Sequence, residues 1–209
     1  MTTLVVPAHR VPWRAAAIGL ALATIGLMIA IAAATFGAAP SGVSSRFAYA
    51  DATAAPRLDL VDQDGRAFAT ADLRGRPTLL YFGYTHCPDV CPATIGTINA
   101  VIAASPEPLH AVFVTVDPGR DTVESMAAYV RYLSPEYIGL TGTPSQIRAA
   151  ADGYGVTYSR IDTGSASGYA MAHTAELYLI DARGRLRSHY PFGIEASEIV
   201  RDLRVLAAE

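Results

Sequence analysis

The chain has 209 residues, 51% of them hydrophobic, and a formal net charge of −3 at pH 7. That length suits one domain of ordinary size with an appendage. The mild negative charge, with scattered arginines as the sole basic side chains, points away from a nucleic-acid partner, and two cysteines cannot build a disulfide framework.

Residues 1–14 form a short tail that carries Arg10 and Arg14. Residues 15–39 then run for 25 positions without a charge, dominated by Ala, Ile and Leu. A bilayer-spanning helix needs about 20 apolar residues. The next positive charge is Arg46, so the arginine bias puts the N-terminus in the cytoplasm and the rest of the chain outside. A cleaved export signal with Ala48-Tyr49-Ala50 as its A-x-A site is the rival reading, but the apolar run exceeds the ~7–15 residues of a signal core. The expectation is a single-pass anchor at 15–39 in a bacterial plasma membrane, with the C-terminal domain on the extracytoplasmic, periplasmic side. Residues 40–55 are small and polar without a clear period and read as a linker.

Residues 56–209 alternate strand and helix. Residues 58–70 read as a hairpin around Asp62-Gln63-Asp64-Gly65. Residues 78–84 form an apolar central strand, and helical spacing of Ile95, Ile98, Val101 and Ile102 predicts a helix over 93–104. A second apolar strand follows at 110–116. Asp121, with Glu124 three residues on, reads as the N-cap of a helix to about residue 133. Residues 137–140 are a short strand and 144–152 a helix stopped by Gly153. Further strands are expected at 156–161, 176–181 and 186–191, and a last helix at 195–206. This alternation predicts βαβ units around a mostly parallel central sheet, to which the last hairpin adds an antiparallel portion. The expected fold class is α/β, a thioredoxin-like domain that opens with an N-terminal hairpin and follows a single transmembrane helix.

The chemistry gathers where the central strand ends. Cys87 and Cys91 are spaced C-x-x-x-C, with Pro88 and Pro92 directly after them. A helix beginning near Cys87 puts both sulfurs on one face; a helix beginning near Cys91 leaves Cys87 in the preceding turn, from which the sulfurs can still converge. Either start favours thiolate over thiol. Such a pair binds a soft metal or cycles with a disulfide, and Asp89 between them opposes thiolate formation. Of the five histidines, His9 lies on the cytoplasmic side, His86 adjoins Cys87, His110 begins a strand and His189 sits inside one. His173, in a loop just ahead of a strand, is an ordinary loop residue or a third donor.

Phe82 through Pro92, FGYTHCPDVCP, is similar to the F-G-[YF]-T-x-C-P-D-[VI]-C-P hallmark of the Sco/SenC family of copper-binding cytochrome oxidase assembly proteins. The resemblance runs over residues 56–206. Tyr169, His173, Thr174, Tyr178 and Leu179 match the family's Y-x-V-x-H-[ST]-x-x-x-[YF]-L, with Met171 for the usual valine and Ala172 where an aspartate is common. Asp117-Pro118-Gly119-Arg120-Asp121-Thr122 resembles D-P-x-R-D-T. The resemblance implies a thioredoxin-like fold and copper, as Cu(I) or Cu(II), held by Cys87, Cys91 and His173. Asp89 and Asp117 stand as residues beside the site. It further implies a carrier that receives copper from an upstream donor and delivers it to the copper-centre subunit of cytochrome c oxidase. A thiol–disulfide oxidoreductase using Cys87 as attacking and Cys91 as resolving sulfur is the alternative. The topology has a direct check: the chain should fractionate with membranes, and protease added from outside should remove the C-terminal domain. Protection of that domain would overturn the orientation.

Overall fold

Six consecutive residues, Thr78–Gly83, are buried to the last side chain and form the middle of the protein. A strand covered on both faces has no solvent side to alternate with, which is why its sequence reads as an apolar run. The computed structural model describes residues 17–19, 22–28, 47–164 and 168–209. The chain divides into two compact units, Met1–Ser41 and Gly42–Glu209.

In the first unit, residues 17–19 and 22–28 are helical and exposed. The remainder of the expected 15–39 span, the tail with His9 and residues 40–46 of the linker lie outside the described residues. Among the described residues no helix is long and apolar enough to cross a membrane.

The second unit runs β1 (Ala48–Ala54), β2 (Asp59–Asp62), β3 (Ala67–Ala69), β4 (Thr78–Gly83), α1 (Val90–Ala104), β5 (His110–Thr115), α2 (Val123–Arg131), β6 (Tyr137–Thr141), α3 (Pro144–Gly153), β7 (Tyr158–Asp162), β8 (Tyr169–His173), β9 (Leu177–Ile180), β10 (Arg185–Tyr190) and α4 (Ala196–Ala207). Eight strands form one sheet in the order β1-β10-β9-β4-β5-β6-β2-β3, and β7 with β8 forms a separate two-stranded sheet. Only β4, β5 and β6 pair in parallel. The pairings on either side of them are antiparallel. The parallel centre and the antiparallel last hairpin are as expected, but antiparallel strands flank the centre on both sides, so the sheet as a whole is mixed.

Two further expectations change. Residues 48–54, assigned to the linker, form β1, an edge strand antiparallel to β10. All but its first residue are exposed, so burial leaves no period-2 signature in its sequence. Asp121 is not the cap of α2. Thr122 is the N-cap, its hydroxyl accepting from the Ser125 amide, while the Asp121 side chain is fully buried. By contrast α3 starts as its residues dictate, with Thr143 and Gln146 closing a reciprocal capping box and Pro144 first in the helix.

Packing explains the hand-over from β4 to the site. Tyr81 and Phe113, paired across β4 and β5, bring their rings within 5.9 Å. A Cβ at Gly83 would stand 2.8 Å from the Tyr81 ring and 3.0 Å from Phe113, so only glycine lets the strand pass these rings. α1 packs against α4, whose Ile199, Val200 and Leu203 are buried.

At the far end of the domain, Asp181 accepts from Arg185 and Arg187, and Arg187 clamps the C-terminal residue Glu209 through two nitrogens. Burial pushes the Asp181 carboxyl up, yet its bonds from Arg185 and Arg187 outweigh that and hold it below the ordinary range. The Arg187 fork likewise holds Glu209 low. Because both carboxyls titrate lower folded than unfolded, the stability they add is complete above about pH 4.5. It is lost as pH falls through their depressed values. Arg187→Ala should cost about 1–2 kcal/mol at neutral pH, because Glu209 loses its bidentate partner while Asp181 keeps Arg185. Denaturant melts from pH 7 to pH 2 should show a shallower acid loss in that variant than in the parent chain.

Candidate metal centre

The loop that leaves β4 is held before it reaches the first cysteine. The Thr85 amide donates to Asp121 Oδ2 at 3.0 Å and the Thr85 hydroxyl to Oδ1 at 2.6 Å. Thr115, at the end of β5, donates to Oδ2 at 2.6 Å. A buried carboxylate is tolerated in a core when such donors surround it. The Cys87 amide then closes a turn onto the Tyr84 carbonyl, and α1 begins at Val90 with Asp89 as N-cap. Of the two helix starts open on the sequence, this is the one that leaves Cys87 in the preceding turn.

The sulfurs converge from that turn and the helix. The Cys91 amide lies 3.4 Å from Cys87 Sγ, the first-turn N–H pointing at the sulfur as such donors do. The third group arrives from 82 residues away: His173, expected in a loop, is instead the last residue of strand β8 and puts Nε2 3.6 Å from Cys91 Sγ. One donor atom each from Cys87, Cys91 and His173 lies within 4.8 Å of the others, and this is the sole such cluster of three among the described residues. His173 sits edge-on to the Tyr81 and Tyr84 rings.

Burial splits the two thiols. It pushes the fully buried Cys91 up to about 12, against a lowering bond from the Tyr81 hydroxyl at 3.5 Å. For the half-buried Cys87 burial also acts upward, but hydrogen bonds led by the Asp89 and Cys91 groups outweigh it and leave the thiol below its usual value. Burial lowers His173 as well, with the Thr174 carbonyl opposing. That carbonyl, 3.0 Å from Nδ1, can only accept, so Nδ1 carries the hydrogen and neutral Nε2 presents its lone pair to the sulfurs. Two sulfurs and an unprotonated imidazole nitrogen form a soft donor set that fits copper: thiolates suit Cu(I), and the nitrogen extends the range to Cu(II).

The remaining sequence candidates lie apart. His86 is exposed, with Nδ1 2.9 Å from the Thr85 hydroxyl and 3.7 Å from Asp121, and is outside the cluster. His110 and His189 stand on β5 and β10, also outside it. The Asp89 carboxylate is exposed; its backbone amide serves Cys87 instead. Asp117 is buried and touches neither cysteine, pairing with Arg120 and Tyr169. Met171 packs against the core. Tyr81, the hydroxyl donor to Cys91, escaped the sequence reading because it looks like one more apolar residue of β4. Its alternation with Leu79 and Gly83 was the available signal.

A strand-to-helix junction with two cysteines, met by a histidine from a late hairpin, defines a thioredoxin-like protein with a Cys-Cys-His cluster that could hold a metal ion. The chain belongs to the SCO1/SenC family, whose model matches residues 48–208. The SCO2-like protein of Rickettsia prowazekii is 38% identical over 151 residues, covering 68% of this chain and 72% of that protein. The structure of Bradyrhizobium japonicum ScoI with copper bound is 37% identical, with a TM-score of 0.65, over 73% of this chain and 98% of that one. Arabidopsis thaliana ScoI with copper bound is 30% identical, with a TM-score of 0.71, over 75% of this chain and 100% of that one.

The thiol asymmetry has a measurable outcome. Limited alkylation of the reduced chain at pH 7, read by peptide mass, should label Cys87 well before Cys91, because only Cys87 is both accessible and shifted toward thiolate. Equal labelling would contradict the geometry.

Proposed function

We propose that this chain is a copper metallochaperone, tethered to the plasma membrane through residues 15–39 with its C-terminal domain outside the cytoplasm. It takes copper from an upstream donor and delivers it to the binuclear copper centre of cytochrome c oxidase. The observation that carries this reading is the convergence of Cys87, Cys91 and His173 within 4.8 Å. Membership of the SCO1/SenC family and two relatives with copper bound support it.

Copper here is cargo, and each residue has a distinct part in handling it. Cys91, packed in the core, is the fixed sulfur; it gives up its proton when metal binds. Cys87 is the sulfur that solvent reaches, so an incoming thiol of a partner attacks beside it and ligands exchange without free copper. His173 completes the set with Nε2, its other nitrogen tied to the Thr174 carbonyl so that the ring cannot turn away.

The divided thiol pKa values favour one second reading. A low-pKa accessible cysteine followed by a high-pKa buried one is also what a dithiol reductase uses: Cys87 attacks a substrate disulfide, and Cys91 resolves the mixed disulfide. That role and copper transfer can share one site, but His173 would serve no ligand role in it.

Anaerobic titration of the reduced full chain with Cu(I) and Cu(II) separates the readings. Cys87→Ala and Cys91→Ala should each lose both ions. His173→Ala should retain Cu(I), which two thiolates hold, and lose the sulfur-to-Cu(II) charge-transfer absorption. A Cu(II) spectrum unchanged in His173→Ala would remove the histidine from the site.

A further inference from the structure

Cys87 and Cys91 flank the start of α1, whereas His173 rides on a two-stranded hairpin outside the main sheet. Something must hold the hairpin at the angle that brings Nε2 to the sulfurs. On β8, Tyr169, Met171 and His173 share one face by strand alternation, and all three are half-buried. Met171 is apolar packing and His173 is the proposed donor. Tyr169 makes the polar anchor.

That anchor is built around Arg120, in the turn between β5 and α2. Its Nε donates to Asp117, Nη1 donates to the Tyr169 carbonyl at 3.0 Å, and the guanidinium lies 3.7 Å over the Tyr169 ring. The Tyr169 hydroxyl returns a bond to Asp117 Oδ1 at 2.9 Å. Arg120 Nη2 is buried and makes no hydrogen bond. Leaving a guanidinium N–H unpaired is costly, so a group chosen only for charge would not be kept there. What the site uses is the flat cation that stacks on the ring while its edge bonds the backbone beside it, a combination lysine cannot make.

Asp117 is itself fixed: its amide donates to the Thr115 hydroxyl at 2.9 Å, and its carbonyl accepts from the Arg120 and Asp121 amides. The clamp therefore refers β8 to the same turn that carries Asp121, the residue that fixes the loop leading to Cys87. β8 is laddered to β7 from Tyr169 to His173. At about 3.4 Å per residue, four steps carry the anchor's placement along roughly 14 Å of strand to the imidazole.

We propose that Arg120 is the positioning residue of the metal site, setting His173 against the two sulfurs through Tyr169. The proposal rests on the reading of His173 as a ligand. Arg120 touches no sulfur and no metal; it decides whether the nitrogen is in range.

The experiment compares full-length parent, His173→Ala, Arg120→Ala, Arg120→Lys and Tyr169→Leu, each titrated with Cu(I) and Cu(II) and examined by paramagnetic resonance for nitrogen coupling. Both Arg120 variants and Tyr169→Leu should bind Cu(II) about 10–100-fold more weakly with diminished nitrogen coupling. Their Cu(I) capacity should stay at parental values, while the apo form of Arg120→Ala should melt lower because the buried Asp117 carboxylate loses its cation. Failure of lysine to rescue marks stacking and geometry, not charge. If Arg120→Ala does not fold, Tyr169→Leu decides, since it leaves the Arg120–Asp117 pair in place. Parental Cu(II) binding in the clamp variants, while His173→Ala loses it, would overturn the positioning role and leave the ligand reading intact. Equal loss of Cu(I) and Cu(II) would also overturn it. An unchanged Cu(II) spectrum in His173→Ala would overturn the ligand reading itself, and the clamp with it.

Discussion

Buried Asp121 ties together the carboxyl ends of all three parallel strands, two through its carboxylate and the third through its backbone carbonyl. Thr85 follows β4, Thr115 ends β5, and both give their hydrogens to its oxygens. Thr141 ends β6 and donates to the Asp121 carbonyl at 2.7 Å. Its amide reaches back to Asp117. Hydrogen bonds kept out of water are stronger than exposed ones, and they are directional. The edge of a parallel sheet is where α/β proteins place ligands, because loops from adjacent strands open there side by side. Here one acidic residue turns those loop ends into a single rigid rim. The cysteine turn starts from it on one side and the Arg120 turn on the other.

On that rim the two sulfurs, four residues apart, live in different solvents. Cys91 is under the Tyr81 hydroxyl and the core; Cys87 is at the mouth. The helix N-terminus favours anions at both, so the dipole alone would activate both alike. Desolvation decides between them, raising Cys91 to about 12, while amide donors leave Cys87 low. The difference follows from the extra residue in C-x-x-x-C, which lets Cys87 stay in the turn while Cys91 faces inward from the first helical turn.

Features that depend on neighbours in sequence were readable from it. The cysteine pair, the β2–β3 hairpin and the Thr143–Gln146 helix start all rest on spacings of a few residues, and local chemistry settles them. Asp121 shows where such reading stops. Asp and Thr in succession are both able caps, and the choice went to Thr122 because Thr85 and Thr115, distant in sequence, claim the aspartate. β1 was hidden for the opposite reason: a one-sided edge strand of small residues carries no apolar period. His173 was visible only through its resemblance to a family pattern, since its spacing from Cys91 says nothing of a shared site. Arg120 lay inside a recognised motif, but a stack on Tyr169 is a property of the folded chain alone.

The separate ladder of β7 and β8 has a consequence for how the site comes apart. Proteins open in cooperative pieces whose free energies range from near zero up to that of global unfolding. A two-stranded ribbon is among the weaker pieces, marginal without outside packing. The sulfurs stand on α1 and on the turn that joins it to the eight-stranded sheet, a piece packed on the main core. The imidazole belongs to the ribbon, whose amides can exchange with solvent while the sheet stays closed. An ion held by the proposed three donors would thus have two escape costs: a small one that withdraws nitrogen and leaves a two-sulfur cradle, and a large one that dissolves the cradle itself.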